Sequence, residues 1–195
     1  MCHELLCDAS LHRQLLEIDR DLAHEARGRG CGACNARLHQ ANYPRQPRGG
    51  PAGLGAEGEL RFSFCCCREG CRRRLTPPSV RFLGRHVYLG VVVTLVTAMS
   101  VGVSPRRAKR LRAELGVSRR TLERWRRWWQ ESVPKTSWWR ELRGRLGEEP
   151  DVDGLPRTLL DRLVGDEQER VLRCLRLLSP LSHTPLMRQR FAMEG

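Results

Sequence analysis

Apolar residues recur at helical spacing over residues 10–27. Leu11, Leu15, Ile18, Leu22 and Ala26 fall three or four positions apart, and Asp and Glu take the other face. Ser10 stands where an N-cap belongs, and Gly28, Gly30 and Gly32 end the pattern. The period then falls to two. Leu60, Phe62 and Phe64 alternate with other residues through 59–66, which predicts a strand. Between these elements, residues 42–58 are rich in Pro and Gly and predict a loop outside the core. Residues 72–86 hold too much Pro and Arg for a regular helix.

Residues 87–103 carry no charge across 17 positions. A membrane span needs about 17–25 such residues. This run sits at the short limit, contains Gly90 and Gly102, and has Arg beyond both ends with no asymmetry to orient it. A buried helix is the expected outcome. Residues 104–130 return to helical spacing. Ser104 and Pro105 make an N-cap and first-turn pair, and Ala108, Leu111 and Leu115 form one apolar face. Gly116-Val117-Ser118 breaks the helix, Ser118 caps a second one, and Leu122, Trp125 and Trp129 continue the face. The pattern predicts helix, tight turn, helix. Three short helices are expected near 136–146, 157–164 and 166–179, with an acidic linker over 147–154 and frayed residues from Pro180. Trp128, Trp129, Trp138 and Trp139 sit at helical spacing and are assigned to core or interface.

Charge changes this picture from a plain helical fold to one with a partner. The 195 residues carry a formal +13, with 35 basic and 22 acidic side chains. The excess is localised: residues 1–30 are net −2, 31–103 are +7, 104–130 are +8 and 131–195 are neutral. A localised excess points to a polyanion. All but two of the basic residues are Arg; Lys109 and Lys135 are the exceptions. On the second helix, Leu122 and Trp125 are expected to face inward, leaving Arg119, Arg120, Glu123, Arg124 and Arg127 outward. Such side chains reach base edges from a major groove, Arg to guanine and Glu to cytosine. Ser118 and Thr121 stand at its start, within reach of a base or a phosphate. Arg106, Arg107 and Lys109 on the first helix suit phosphate contacts that position without specifying.

Nine Cys add a metal to the reading. Cys31-x2-Cys34 and Cys66-x4-Cys71 are two pairs about 30 residues apart, the pattern of a closed four-cysteine zinc site of the ribbon type. Three adjacent Cys leave Cys65, Cys66 and Cys67 as choices for the third ligand. Cys66 is preferred because Phe62, Phe64 and Cys66 share one strand face; His39 is an alternative ligand. Four thiolates without His or carboxylate make the site structural, not catalytic. Cys2, Cys7 and Cys174 are isolated.

These residues resemble a known family. Cys31-x2-Cys34, Leu60-Arg61-Phe62-Ser63-Phe64 leading into Cys66, Cys71-Arg72-Arg73-Arg74 and the later LGVSRRTLERW are similar to the zinc ribbon and helix-turn-helix of insertion-sequence transposases. The resemblance covers roughly residues 30–130 and implies binding to duplex DNA by ribbon and helix-turn-helix together. The family continues into a nuclease domain with three metal-binding carboxylates, whereas 65 residues follow Gln130 here. No nuclease or strand-transfer activity is therefore expected. Arg112 stands where the family often has a small residue before the turn glycine.

The expected fold is mainly α with a small β zinc ribbon, a homeodomain-like helix-turn-helix and short C-terminal helices. Its regions are an N-terminal helix (1–29), the ribbon with its Pro/Gly-rich loop (30–86), a helix plus helix-turn-helix (87–130) and a C-terminal helical region (131–195). The expected function is a cytoplasmic, nucleoid-associated, zinc-stabilised DNA binder related to mobile elements, as a regulator or a transposition accessory. The alternative is a truncated transposase or recombinase subunit that works with a separate nuclease chain. Its partners would be double-stranded DNA and either a transposase chain or a second copy of itself, with no membrane and no small-molecule substrate.

Overall fold

The computed structural model describes residues 2–45, 47–49, 55–83, 88–100, 104–106, 109, 113, 116–146 and 150–182. Helix α1 (Cys2–Cys7) leads directly into α2 (Ala9–Gly28). Asp8, not Ser10, caps α2: its carboxylate accepts from the Ser10 backbone N–H at 2.7 Å. The reason is α1, which closes with Asp8 N–H on the Leu5 carbonyl and leaves Asp8 as the extended residue. At the far end Gly30 takes φ +73°, a left-handed conformation that glycine adopts without strain.

The Pro/Gly-rich stretch is more than a loop. Strand β2 (Tyr43–Pro44) pairs antiparallel with β3 (Leu60–Arg61), and Gly55–Glu59 forms the short helix α3. The strand expected over 59–66 is two strands in two sheets. The break lies at Ser63, whose N–H donates to Asn42 Oδ1 at 3.1 Å and whose carbonyl accepts from Ala41 at 2.8 Å. These bonds turn a corner between β3 and β4 (Phe64–Cys66). β4 then runs between β1 (Leu38–Gln40) and β5 (Arg74–Leu75), antiparallel to both. Leu38 lies opposite Cys66 and Phe64 opposite Leu75. Leu38, Phe64 and Cys66 are buried on this sheet's inner face, against Ala23 of α2 and Cys31.

Helix α4 (Gly90–Ser100) is the centre of the main core, with ten of its 11 residues buried. A Val or Leu side chain contributes about 1.5–3 kcal/mol when removed from water, so the run of buried Val and Leu in this helix contributes several times that. Two of its polar side chains bond to the helix itself: Thr97 donates to the Val93 carbonyl and Ser100 to the Thr97 carbonyl, while the buried Thr94 hydroxyl has no partner among the described residues. Among the described residues no helix is long and apolar enough to cross a membrane.

Helices α1, α5 (Arg119–Arg127), α7 (Arg157–Asp161) and α8 (Glu167–Leu178) pack against α4. After α5 the chain passes through one π turn (Trp128–Ser132) and one 3-10 turn (Val133–Lys135) into α6 (Ser137–Arg145). Trp125, Trp129 and Trp139 are fully buried in this core, while Trp128 and Trp138 lie half-buried at its edge. The C-terminal end is packed further than expected. Residues Ser179–Ser182 form a 3-10 turn with Leu181 buried, and Ser182 Oγ accepts from the Ser79 N–H at 2.9 Å. That bond and the Leu181 contact hold residues 180–182, the first of the residues expected to fray; residues 183–195 lie outside the described residues.

Of the first helix expected over 104–115, Pro105, Arg106, Lys109 and Ala113 are helical. Residues 107–108, 110–112 and 114–115 lie outside the described residues, and with them Arg107, Arg112 and the apolar face of Ala108, Leu111 and Leu115.

Candidate functional site

Two features assemble the residues singled out in the sequence. The first is a cluster of four thiols. Cys31 and Cys34 sit on a tight turn after α2, where Cys34 and Asn35 N–H both donate to the Cys31 carbonyl. Asn35, at φ +54°, occupies the left-handed position that Asn tolerates better than most residues. Cys66 ends β4 and Cys71 closes the following loop, with Cys71 and Arg72 N–H on the Arg68 carbonyl. Arg72, at φ +44°, is the second left-handed residue of the region.

The four Sγ atoms lie within 4.8 Å of one another. Cys31 and Cys71 sulfurs are 3.7 Å apart, and Cys34 and Cys66 sulfurs 3.5 Å. A tetrahedral ion with metal–sulfur bonds of about 2.3 Å sets its ligand sulfurs about 3.8 Å apart. The cluster therefore has the size and shape to hold one metal ion. Cys66 is the member of the Cys65–Cys67 triplet whose sulfur joins the group, because the β4 face that buries Phe64 also buries Cys66. Cys65 points to the other face, between exposed His39 on β1 and exposed Arg74 on β5, and its thiol donates to the Arg72 carbonyl. His39 and Cys67 are outside the group.

The electrostatics of the thiols fit a cation. The Ala33 backbone N–H, assisted by those of Cys34, lowers the Cys31 thiol to about 6 against the opposing effect of burial. At Cys66 the Arg68 N–H also lowers the thiol, but burial and the proximity of Cys34, Cys71 and Cys31 outweigh it and push it up to about 12. Four sulfurs this close cannot all be thiolates unless a positive ion sits among them. Cys174 is different: burial alone pushes its thiol up to about 12, and it is a packing residue of α8.

The second feature is the surface of α5. Ser118 caps it, its Oγ accepting from the Thr121 N–H at 3.1 Å, after Gly116 turns the chain at φ +62°. Leu122 and Trp125 are buried. Tyr88 meets the edge of the Trp125 ring at 5.0 Å and donates to the Gly116 carbonyl at 3.5 Å, so the turn and the helix share one support. Arg126 Nη2 donates to the Ser100 carbonyl at the C-terminus of α4, where the helix dipole favours a cation. Arg119, Arg120, Glu123, Arg124 and Arg127 are all exposed, and Thr121 is half-buried. Arg119 pairs with Glu123 at 2.7 Å and Arg127 with Glu131 at 3.8 Å. Arg120 and Arg124 have no protein partner among the described residues. Arg106 and Lys109 are exposed on the preceding helical segment.

Sequence reasoning missed a buried charge network between these features. Asp19 of α2, expected on a polar face, is fully buried. It accepts from Ser79 Oγ at 2.6 Å, Val80 N–H at 2.7 Å and Arg81 Nε at 2.8 Å. Arg81 also donates to the Gly58 carbonyl at 2.9 Å and the Leu60 carbonyl at 2.8 Å. Arg61, from the strand run whose alternation singled out Leu60, Phe62 and Phe64, is 1% exposed and donates to the Pro77 carbonyl at 2.6 Å. Arg45, Arg61 and Arg81 all lie over the Phe82 ring, at 5.0–5.8 Å from its centre. Burial lowers the Arg61 guanidinium to about 10. The only signal in the sequence was the pair of Arg-Phe dipeptides at 61–62 and 81–82, which carries no spacing rule.

No family model, curated protein or solved structure matches the chain.

Proposed function

We propose that this chain is a DNA-binding protein whose N-terminal half is held by a structural zinc ion on Cys31, Cys34, Cys66 and Cys71, and which docks α5 in a major groove of duplex DNA. The observation that carries the reading is the division of α5 into two faces. Leu122 and Trp125 fix one face to the core, and Arg120 and Arg124 lie exposed on the other, one turn apart and without a partner among the described residues. An exposed guanidinium without a carboxylate partner keeps all its donors for a guanine edge or a phosphate. Arg119 and Glu123 hold each other in place beside them. The turn at Gly116 and the helical Pro105, Arg106, Lys109 and Ala113 before it support a helix-turn-helix arrangement, with Arg106, Arg107 and Lys109 assigned to the phosphates. Zinc is the metal we favour because four cysteines at this spacing form closed tetrahedral sites, which stabilise a small sheet with little core of its own. On the residues that resemble insertion-sequence transposases, the biological setting we assign is a mobile element, with this chain as regulator or accessory.

The test is a binding titration by fluorescence anisotropy against a site selected from random duplexes. Arg120→Ala or Arg124→Ala should cost about 1–3 kcal/mol on the selected site and flatten discrimination against other sequences. Affinity of the unaltered protein that does not change between 50 and about 200 mM salt would refute the reading, since a basic docking surface must release counterions.

A further inference from the structure

We propose that the loop closing the cysteine cluster is a second phosphate-binding surface, and that the bound metal controls it. The inference rests on the DNA-binding reading above but concerns different residues. Arg68, Arg72, Arg73 and Arg74 lie in or beside the loop that joins Cys66 to β5, and Arg37 lies beside them across the sheet. All five side chains are exposed, and none has a protein partner among the described residues. Glu69 is the single acidic residue of the loop. Four exposed guanidiniums within residues 68–74 and a fifth beside them, without partners among the described residues, repel one another, and a folded protein keeps such an arrangement in place most readily when an anion with repeated charges lies across it. A nucleic-acid backbone has that character.

The placement of the five depends on the cysteines. Arg68 is two residues after Cys66, and its carbonyl accepts from both Cys71 and Arg72 N–H at 3.0 Å. Arg72 follows Cys71 directly and is held in a left-handed conformation. The Arg73 carbonyl accepts from Cys66 N–H at 2.9 Å, and the Arg37 carbonyl accepts from Cys67 N–H at 3.0 Å. Arg74 is paired with Cys65 across the sheet. Each arginine is thus adjacent to a metal-ligating cysteine, bonded to one through the backbone, or bonded to the residue next to one. Without an ion, four crowded thiols have nothing to draw them together, and the loop that spaces the arginines loses its closure. Metal binding therefore preorganises the phosphate surface, while α5 depends on the Tyr88, Trp125 and Arg126 contacts instead.

The experiment uses the full chain loaded with zinc and a fixed duplex of about 20 base pairs. The slope of log affinity against log salt is measured for four proteins: the unaltered chain, the triple variant Arg68→Gln, Arg73→Gln, Arg74→Gln, the variant Arg120→Ala, and a charge control, Arg140→Gln, Arg145→Gln, Arg176→Gln. Each phosphate contact contributes about 0.9 to the slope. The triple variant should keep its zinc, measured by metal analysis, and lose about two to three units of slope, whereas the charge control should keep the slope. Chelating the metal from the unaltered chain should lower its slope to that of the triple variant, and chelating the triple variant should change nothing further. Equal losses in the triple variant and the charge control would overturn the surface. A slope that survives chelation in the unaltered chain would overturn the metal control. Loss of slope only on Arg120→Ala would sink this inference and leave the α5 reading standing. Failure of the unaltered chain to bind the duplex would remove both. Tighter binding to single-stranded RNA of the same length would replace the partner and overturn the proposal as stated.

Discussion

Among single residues, the three consecutive cysteines show how a strand decides chemistry. Side chains alternate across a sheet, so Cys65 and Cys66 cannot both face the same cluster. Phe64 fixes which one does: it is buried, two positions from Cys66, and the pair turn inward together. Cys67 lies past the end of β4, with its N–H committed to the Arg37 carbonyl. Cys66→Ser should therefore abolish stoichiometric zinc in the purified protein, while Cys65→Ser and Cys67→Ser retain one ion per chain. Metal analysis with a thiol count on each variant checks this, and retention of the ion by Cys66→Ser would show that Cys67 or His39 takes its place. The choice of Cys66 was legible because alternation is a short-range rule. The burial of Arg61 was not. It sits on the same strand run, but the corner at Ser63 separates β3 from β4, and a corner made by an Asn42 side chain leaves no periodic mark in the sequence.

Among elements, the helices with an apolar stripe were readable, whereas the short helices α1 and α3 and the connections were not. Residues 10–27, 136–146, 157–164 and 166–179 announce themselves by apolar spacing, and α2, α6, α7 and α8 fall there because each has a stripe to bury. The Pro/Gly-rich stretch hid β2 and α3, since a two-residue strand and a five-residue helix are too short to show a period. Both are defined by partners distant in sequence: β2 by its pairing with β3, and α3 by the carbonyls of Glu57 and Gly58 that Arg81 collects. At α5 the cap is local and testable. Ser118 Oγ satisfies the Thr121 N–H, and its removal leaves a donor unpaired. Ser118→Ala should lower stability by about 1 kcal/mol in urea unfolding. Ser118→Asp should retain the cap and the stability, yet, on the proposed docking, weaken DNA binding, because it sets a carboxylate where the helix would meet phosphates. Loss of stability in both variants would remove the capping role, and unimpaired binding by Ser118→Asp would place this end of the helix away from the backbone.

For the whole molecule, buried polar contacts tie together segments that are distant in sequence. Asp19 draws the 79–81 segment onto α2, Arg81 reaches back to the Gly58 and Leu60 carbonyls at the start of β3, and Ser182 fastens the C-terminal turn to Ser79. Another buried polar group, His12, joins the first two helices. Its Nε2 lies 3.0 Å from the Leu6 carbonyl across the turn between them, with the side chain in the core. Burial lowers its pKa below the ordinary 6.5, against smaller opposing effects of the Leu6 carbonyl and Asp8. A histidine whose folded pKa is lowered binds its proton more readily when unfolded, so stability rises with pH through this range. The contribution is fully present above about 6.5 and is lost as pH falls through the lowered folded value. Urea unfolding between pH 7.5 and 5 should show a declining midpoint in the unaltered chain. Protonation of the clustered thiols, where they hold the proposed ion, acts in the same direction, so the diagnostic comparison is with His12→Gln, which keeps a donor for the Leu6 carbonyl but cannot titrate. The decline should be shallower in His12→Gln by the His12 share. Parallel pH profiles for the two proteins would assign the whole acid sensitivity to the cysteine cluster and none to the α1–α2 junction.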